Sequence, residues 1–592
     1  MAVEGLMALY RGRSGESGLE KGVSMSGRYG RSRVSVLSGV LVAAGLAASP
    51  AFAMQFKLGE ADVSIDTTVT ASAAIRTSDR KCMYISATNP QGCANDGLTD
   101  NYDDGNLNYD QWDVFSAPLS GISEFEIKQG DFGFFARGSY FFDAIQSDKS
   151  STRRTDLTDA AVSRVGRRAR LLDAYVYGDV DVAGLPVNFR LGNQVLNWGE
   201  SIFYGGGIAE TNAFDVTKLR GAGAEIKQAY LPAPMAVVRF APVTNLDVSA
   251  YYQFRWNETE LDPVGTFFSL EDAVGPGAVG LFYGPAFGFG AVGDPAASGV
   301  DAQTQFFLGT GIPLIADDQP SHGGQWGVSA LYFSEALQTE LGLYYMRYHQ
   351  KVPVVGANAA CDPVFGCYPV GYYRNYVPDQ DLFGASASFV WQDISFGLDV
   401  AYQPDYAVPL ADPFTAAATA AFLADPVGFT GTGSSEGFVR ENRTQVIFNG
   451  IYSAGPTAPL FGTAIQALGM DDMTIIGEMA WTHFDSKPLG TFGDTNAVGF
   501  IADITGSYQG IFGTPWVLYP GIAFRYDITG TALDYAMMDT HIDNRKQVTL
   551  RLTADYQSTW SIGAAYTNNF SGGYNNFATD RDFATFTVSY AF

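Results

Sequence analysis

The segment "DFATFTVSYAF" (582–592) alternates with a period of two. Phe592, Tyr590, Val588, Phe586 and Ala584 share one parity, and Ala591, Ser589, Thr587 and Thr585 share the other. Successive side chains of a β-strand point to opposite faces, so one face is greasy and the other hydroxylated. A soluble sheet would turn the greasy face to a core. A closed membrane barrel would turn it to lipid and the hydroxyls to a wet lumen. The same alternation recurs along the chain, as in Leu246, Val248, Ala250 and Tyr252, which are separated by Asp247, Ser249 and Tyr251. Such runs reach about ten or eleven residues, enough to span a tilted bilayer and roughly twice the length of a soluble strand.

The other end of the chain supplies the compartment. Arg28, Arg31 and Arg33 precede the apolar stretch 34–48, and "AFA" (51–53) places small residues where a signal peptidase inspects them. Residues 25–53 therefore read as a secretory signal cleaved between Ala53 and Met54. Residues 1–24 read as an over-extended start, and 54–592 as the barrel. Past residue 53 no apolar run approaches the roughly 18 residues of a spanning helix, so the membrane must be crossed by closed sheet. A formal charge of −26 excludes nucleic acid as a partner.

Connector lengths sort into two classes. "QGD" (129–131), "PVTN" (242–245), "QD" (392–393) and "QST" (557–559) are short, whereas 78–118, 145–170, 257–324, 350–381 and 404–442 are long. The sequence thus predicts an all-β transmembrane antiparallel barrel of about 18 strands, range 14–18, with long external loops and short periplasmic turns. Outer-membrane lipid surrounds such a wall. The terminal aromatic is similar to the C-terminal signal read by the barrel-assembly machinery. Only 452–472 reads as a long periplasmic turn. The first strand begins about ten residues after the cleavage point, which leaves no room for an N-terminal plug or passenger domain.

Parity also nominates lumen and selectivity residues. They are Glu124, Glu126, Asp173, Asp247 and Glu478, with Arg137, Arg190, Arg255, Arg525 and Arg551. Opposite charges on neighbouring strands can pair and stabilise a wet interior, or can select a ligand. No lysine ladder marks a phosphate channel. In the long loop, Phe282, Tyr283, Phe287, Phe289, Phe306 and Phe307 are too apolar to stand free in water. They form either a constriction in the mouth or an external cap packed on other loops. After "RLGNQVLNWGES", the stretch containing "GGG" (205–207) folds inward, with Arg220 and Glu225 as gating contacts and Trp198 near the outer interface.

Four cysteines form two close pairs, Cys82–Cys93 and Cys361–Cys367, with no histidine near either. Disulfides of an oxidising periplasm fit better than a metal site. "TDNYDDGNLNYD" (99–110) loosely resembles a calcium loop, but Tyr102 and Gln111 stand where ligands are needed. It reads as a solvated acidic loop. His322 beside Ser321 and His483 near Asp485 sit in no catalytic frame. The expectation is no enzyme, no cofactor and no metal.

Several stretches resemble one proteobacterial family of outer-membrane proteins long catalogued as a domain of unknown function. They include "FKLGEADVSID", "GDFGFFARGSYFFD", "LLDAYVYGDV", "LPVNFRLGNQVLNWGES", "NAFDVTKLRGAGAEIKQAYLPAPM" and "FRYDITG". One departure is Ala222, where the family pattern has proline. The family is commonly encoded beside a lipoprotein-sorting-like periplasmic protein and an inner-membrane transporter of the resistance-nodulation-division type. That resemblance implies a channel for small hydrophobic or amphipathic molecules, or else a component of a lipid or hydrophobe export assembly.

Overall fold

The computed structural model describes residues 54–86, 89, 91–93, 101–221, 223–282, 295–535 and 541–592. The signal segment, Ala222, and Tyr283, Phe287 and Phe289 lie outside the described residues. One antiparallel sheet holds 20 strands, of which Met54–Leu58 and Val114–Ser116 are short ribbons beside the first long strand. The remaining eighteen run round the wall. They are β1 (Ala61–Arg76), β2 (Pro118–Gln129), β3 (Phe132–Asp143), β4 (Arg167–Val182), β5 (Leu185–Gln194) and β6 (Ala233–Val243). Next come β7 (Leu246–Gln253), β8 (Gln325–Ser334), β9 (Thr339–Tyr348), β10 (Gln380–Trp391), β11 (Ile394–Pro409) and β12 (Phe438–Ala454). The wall ends with β13 (Asp472–Phe484), β14 (Asn496–Gln509), β15 (Trp516–Thr529), β16 (Arg545–Tyr556), β17 (Trp560–Ser571) and β18 (Phe583–Ala591).

β18 closes the cylinder on β1, with Phe586 opposite Ala73 and Tyr590 opposite Val69. Thr67 and Phe592 exchange backbone hydrogen bonds of 2.7 and 2.8 Å. Closure leaves no free edge, which is what an apolar medium demands of a sheet. The expected parity holds, because Leu550, Leu552, Ile562 and Phe586 are exposed on the outside. At the short-turn rim, Tyr590 lies 4.6 Å from Trp560, and Tyr556 lies 5.3 Å from Trp516. Such rings suit the interface between headgroups and hydrocarbon. Gln392 and Asp393 both have positive φ (49° and 66°), the two-residue turn that matches strand twist.

With the exception of 455–471, the long connections leave from the opposite rim. There Val354–Asp362, Gly366–Asn375 and Thr432–Ser435 form a three-stranded sheet under the helix Pro413–Ala424. Both disulfides form, Cys82–Cys93 and Cys361–Cys367. The second one staples a hairpin in which the two cysteines face each other. The acidic stretch departs from its reading as a solvated loop. Asp103 and Asp104 are buried and paired with Arg154, at 2.8 and 3.4 Å.

At the short-turn rim, 455–471 is long, as expected, and contains the helix Gly462–Leu468. This turn does not hang free. Ile465 and Met470 pack on Tyr452, Met473 and Ile475, all of outward parity, so the helix lies on the outside of the barrel.

Candidate functional site

The inward face of β6–β11 is not wet. Met235, Val237, Tyr251, Tyr344, Met346, Tyr348, Leu382 and Ala401 all point inward and are buried in one cluster. What covers them is the connection from β5 to β6, residues 195–232, which turns into the barrel. Its Leu196, Trp198 and Ile208 complete the cluster. Trp198 therefore does not sit at the outer interface as expected. Its ring lies 5.2 Å from Tyr251 and 5.7 Å from Tyr344. Once the chain leaves the sheet at Gln194, burial against these apolar side chains outweighs an interfacial position.

Two wall carboxylates hold the crossing segment by its backbone. Asp399 Oδ2 accepts from the N–H groups of Glu200 (2.8 Å) and Ser201 (3.1 Å). Glu478 accepts from Ile202 (2.6 Å), Phe203 (2.7 Å) and Tyr204 (2.6 Å). Asn449 donates to the Glu200 carbonyl at 2.6 Å. Five successive backbone donors inside a barrel would otherwise need water, and charged acceptors make the stronger bonds. Tyr204 then packs on Ile447 and Ala480, with the Arg525 guanidinium 5.7 Å from its ring and His541 5.3 Å away. Gly206 and Gly207 follow with φ of 87° and 58°, a turn that side chains resist.

The same segment returns to the far wall. A Cβ on Gly223 would lie 2.0 Å from Ser72 Oγ of β1, so backbone and wall touch there. Lys227 meets Glu124 at 2.8 Å, and Lys218 stands 3.6 Å over the ring of Phe141. The helix Val216–Arg220 is capped by Asp215, which accepts from the Thr217 N–H at 3.2 Å. Arg220 pairs with Asp262 of the next long loop and lies 5.1 Å over Phe268. Glu225 does not meet Arg220. It pairs with Lys227 at 3.2 Å and caps its own helical turn with Gln228. As a prediction, Arg220→Ala frees this end of the segment from the outer loop and raises current noise in single-channel records. An unchanged record with normal assembly would count against that link.

The remaining sector, β14 round to β5, is polar and partly open. Glu124, Arg137 and Asp173 form a chain with contacts of 2.9 and 2.7 Å. Glu126 accepts from the Tyr177 hydroxyl, and Arg190 lies 5.8 Å from the Tyr175 ring. Across the closure, Arg551 holds Asp503 (2.8 Å) and Thr505 (3.0 Å). Hydroxyl pairs Thr549–Thr567 and Thr70–Ser589 line the strip between them. Arg525 pairs with Asp527 at 3.3 Å. Asp247 pairs with Arg239 at 2.8 Å near the short-turn rim. Arg255 is a correction. It lies past the end of β7 and is exposed, because the strand stops at Gln253 before parity can carry it inward.

The aromatic long loop sits among the outer loops. Phe282 and Phe306 stack at 5.7 Å, while Phe307 is 89% exposed and constricts nothing. Phe267 and Phe268 instead pack with Tyr109, Phe115 and Phe583 over the end of β18. A cavity of ≈70 Å³ remains beside them, near Phe141, Lys218 and Asp262. That is well below the 300 Å³ or so of a ligand pocket. Asp103, Asp104 and Asp272 bring carboxylate oxygens within 4.8 Å of one another, where a cation could be held. Arg154 already supplies positive charge there.

Sequence reasoning missed the buried charged groups Arg443, Glu210 and Lys351. Arg443 is fully buried, donates to Gln403 at 2.5 Å and pairs with Asp534 at 2.9 Å. Its parity matches Gln445 and Asn449, a signal that was available. Burial pushes the Glu210 carboxyl up to about 7 and the Lys351 amine down to about 7. Burial thus disfavours the charged form of both groups, so packing matters more than ion pairing here.

A family described as "Protein of unknown function (DUF1302)" matches residues 34–592. No curated protein matches the chain. Among solved structures, the outer membrane protein OpdK from Pseudomonas aeruginosa is 10% identical at a TM-score of 0.40, covering 90% of this chain and 98% of its own. A BenF-like porin from Pseudomonas fluorescens Pf-5 is 10% identical, covers 90% and 98%, and scores 0.38. OccAB3 from Acinetobacter baumannii is 9% identical, covers 90% and 99%, and also scores 0.38. These likenesses are too distant to carry residue roles.

Proposed function

The chain belongs to the DUF1302 family, and we propose that it is an outer-membrane channel of a Gram-negative bacterium for small hydrophobic or amphipathic molecules. It works without covalent chemistry or a cofactor. One observation carries this reading: the crossing segment is greasy on the side it leaves uncovered. Ile202 and Phe203 are 41% and 39% exposed although their backbone is bound to the inner wall, and Ile226 of the same segment is 74% exposed. A molecule passing the open sector would meet apolar side chains on one flank and the Glu124–Arg137–Asp173 chain on the other. A water-filled pore for sugars or salts has no use for the first flank.

The test is permeation through the purified barrel in liposomes and planar bilayers, with 257–324 intact and then shortened. An amphipathic aromatic should cross at least about tenfold faster than a sugar of equal size. Shortening the loop should leave that preference in place, since the segment 195–232 sets it. Equal rates for the two solutes would sink the reading.

The second reading is an export component that works with a lipoprotein-sorting-like periplasmic protein and an inner-membrane transporter. Exposed Leu460, Phe461 and Leu468 at the short-turn rim favour it. Deleting 458–468 would then abolish export while conductance survives. The helix rests on the lipid-facing wall rather than projecting into the periplasm, so the channel reading is preferred.

A further inference from the structure

Gly450 of β12 and Gly477 of β13 face each other across the ladder, and both point outward. Neither has a positive φ, so the backbone does not require glycine at either place. Glycine inside a strand weakens it and marks a position that something approaches closely. A Cβ on Gly477 would have nothing within 4 Å, and one on Gly450 would meet the Phe396 ring at 3.3 Å and Ile394 at 3.8 Å. The paired glycines leave bare backbone on a wall that elsewhere presents Phe448, Met479 and Trp481.

That gap is the floor of a groove of ≈410 Å³. Its sides are Phe448, Met479, Phe500 and Tyr452, and Leu460 and Phe461 of the turn close its lower end. Tyr452 donates its hydroxyl to the Leu460 carbonyl at 3.2 Å, and Tyr508 donates to the Leu468 carbonyl at 3.1 Å, which fix the turn against the wall. The volume falls within the usual range of ligand sites, and the walls are almost wholly apolar.

We infer that this groove seats one acyl chain of a phospholipid from the leaflet at the short-turn rim. The occupant follows from the groove's position. It opens on the lipid-facing surface and is continuous with the belt of outward apolar side chains, so the bilayer supplies what fills it. The helix Gly462–Leu468 lies at the rim, with Leu468 59% exposed, as an interfacial helix does. The groove runs up the wall from that helix along β12 and β13, the course a lipid tail takes from the interface towards the bilayer centre. The inference rests on the channel reading only for naming this leaflet periplasmic.

The test uses the mature barrel in nanodiscs of phosphatidylethanolamine and phosphatidylglycerol doped with a phospholipid that carries a diazirine in its acyl chain. After irradiation, peptide mass spectrometry locates the adducts. Labelling within 445–480 should exceed that of other lipid-facing strands about tenfold. Gly477→Leu places a side chain in the gap, where its Cβ meets nothing within 4 Å, and should bring labelling down to the average of the wall. Leu460→Asp, on the turn and outside the strands, should do the same if the leucine variant fails to assemble. Uniform labelling of the wild type, or unchanged labelling in an assembled variant, would overturn the inference. Conductance is not the readout, so its failure and that of the channel reading are distinguishable.

Discussion

Glu478→Ala raises single-channel conductance several-fold and makes the current noisy, because it removes the anchor of the crossing segment. The carboxylate accepts three consecutive backbone N–H groups, from Ile202, Phe203 and Tyr204. Hydrogen bonds to a charged group contribute about 1.5–3 kcal/mol each, and donors released into a wet lumen recover part of that from water. A net loss of roughly 3 kcal/mol shifts a docked–undocked balance by about two orders of magnitude. Asp399 still holds Glu200 and Ser201, so the segment swings about that point rather than leaving the lumen. Glu478→Gln keeps an acceptor of the same size without the charge and should fall between wild type and alanine. Hydrogen exchange at residues 202–204 provides a readout independent of current. Unchanged exchange and unchanged conductance in the alanine variant would show that packing of Trp198 and Ile208 alone holds the segment.

The lumen is divided between two kinds of wall, and only one was legible in the sequence. Where one parity is greasy and the other hydroxylated, as in 582–592, the assignment of lipid and lumen faces follows at once. The strand count follows too, because each alternating run ends at a short turn or a long loop. Thr339–Tyr348 is different. Leu341 and Leu343 face lipid, while Tyr344, Met346 and Tyr348 face inward and are almost fully buried. A strand apolar on both faces is covered on both faces. In a barrel the inner cover must come from the chain itself, and this doubled pattern was the available sign of a filled sector.

What no local pattern could supply was the identity of the cover. Phe203 and Glu478 are 275 residues apart, and the bond uses a backbone N–H that every residue but proline carries. Parity placed Glu478 inside the barrel without naming its partner. Arg220 and Glu225 were expected as gating contacts, but parity and spacing could not name their partners, which are Asp262 and Lys227 respectively. Trp198 shows the same limit. An indole suits a membrane interface and a packed interior about equally, and the choice fell to the apolar side chains of strands far along the chain.

The outer cap should depend on one buried arginine at the end of β1, and Arg76→Met should detach it. Arg76 is fully buried. Its Nε donates to the Ser78 carbonyl at 2.9 Å, and Nη1 donates to the carbonyls of Asn106 and Tyr109 at 3.0 and 2.9 Å. Nη2 donates to Asn106 Oδ1 and the Asp580 carbonyl, both at 2.8 Å. One side chain thus ties the loop after β1 to the connection between β17 and β18. Methionine fills similar volume but donates nothing, leaving these acceptors buried beside Asp580, whose carboxylate lies 3.8 Å from the guanidinium. Removing one partner from such a site costs about 3–5 kcal/mol. The barrel wall should survive, since its ladder bonds use backbone groups and not the Arg76 side chain, so the heat-modified shift on gels stays near wild type. The loops should not. Trypsin should cut at Arg80 and Lys81 many times faster than in wild type, and the Phe267–Phe115 stack over β18 should loosen with them. Arg76→Lys offers three donors in place of the planar fork and should be intermediate. Equal protection of Arg80 and Lys81 in the methionine variant would mean that the aromatic cluster of Tyr109, Phe115 and Phe267 holds the cap unaided.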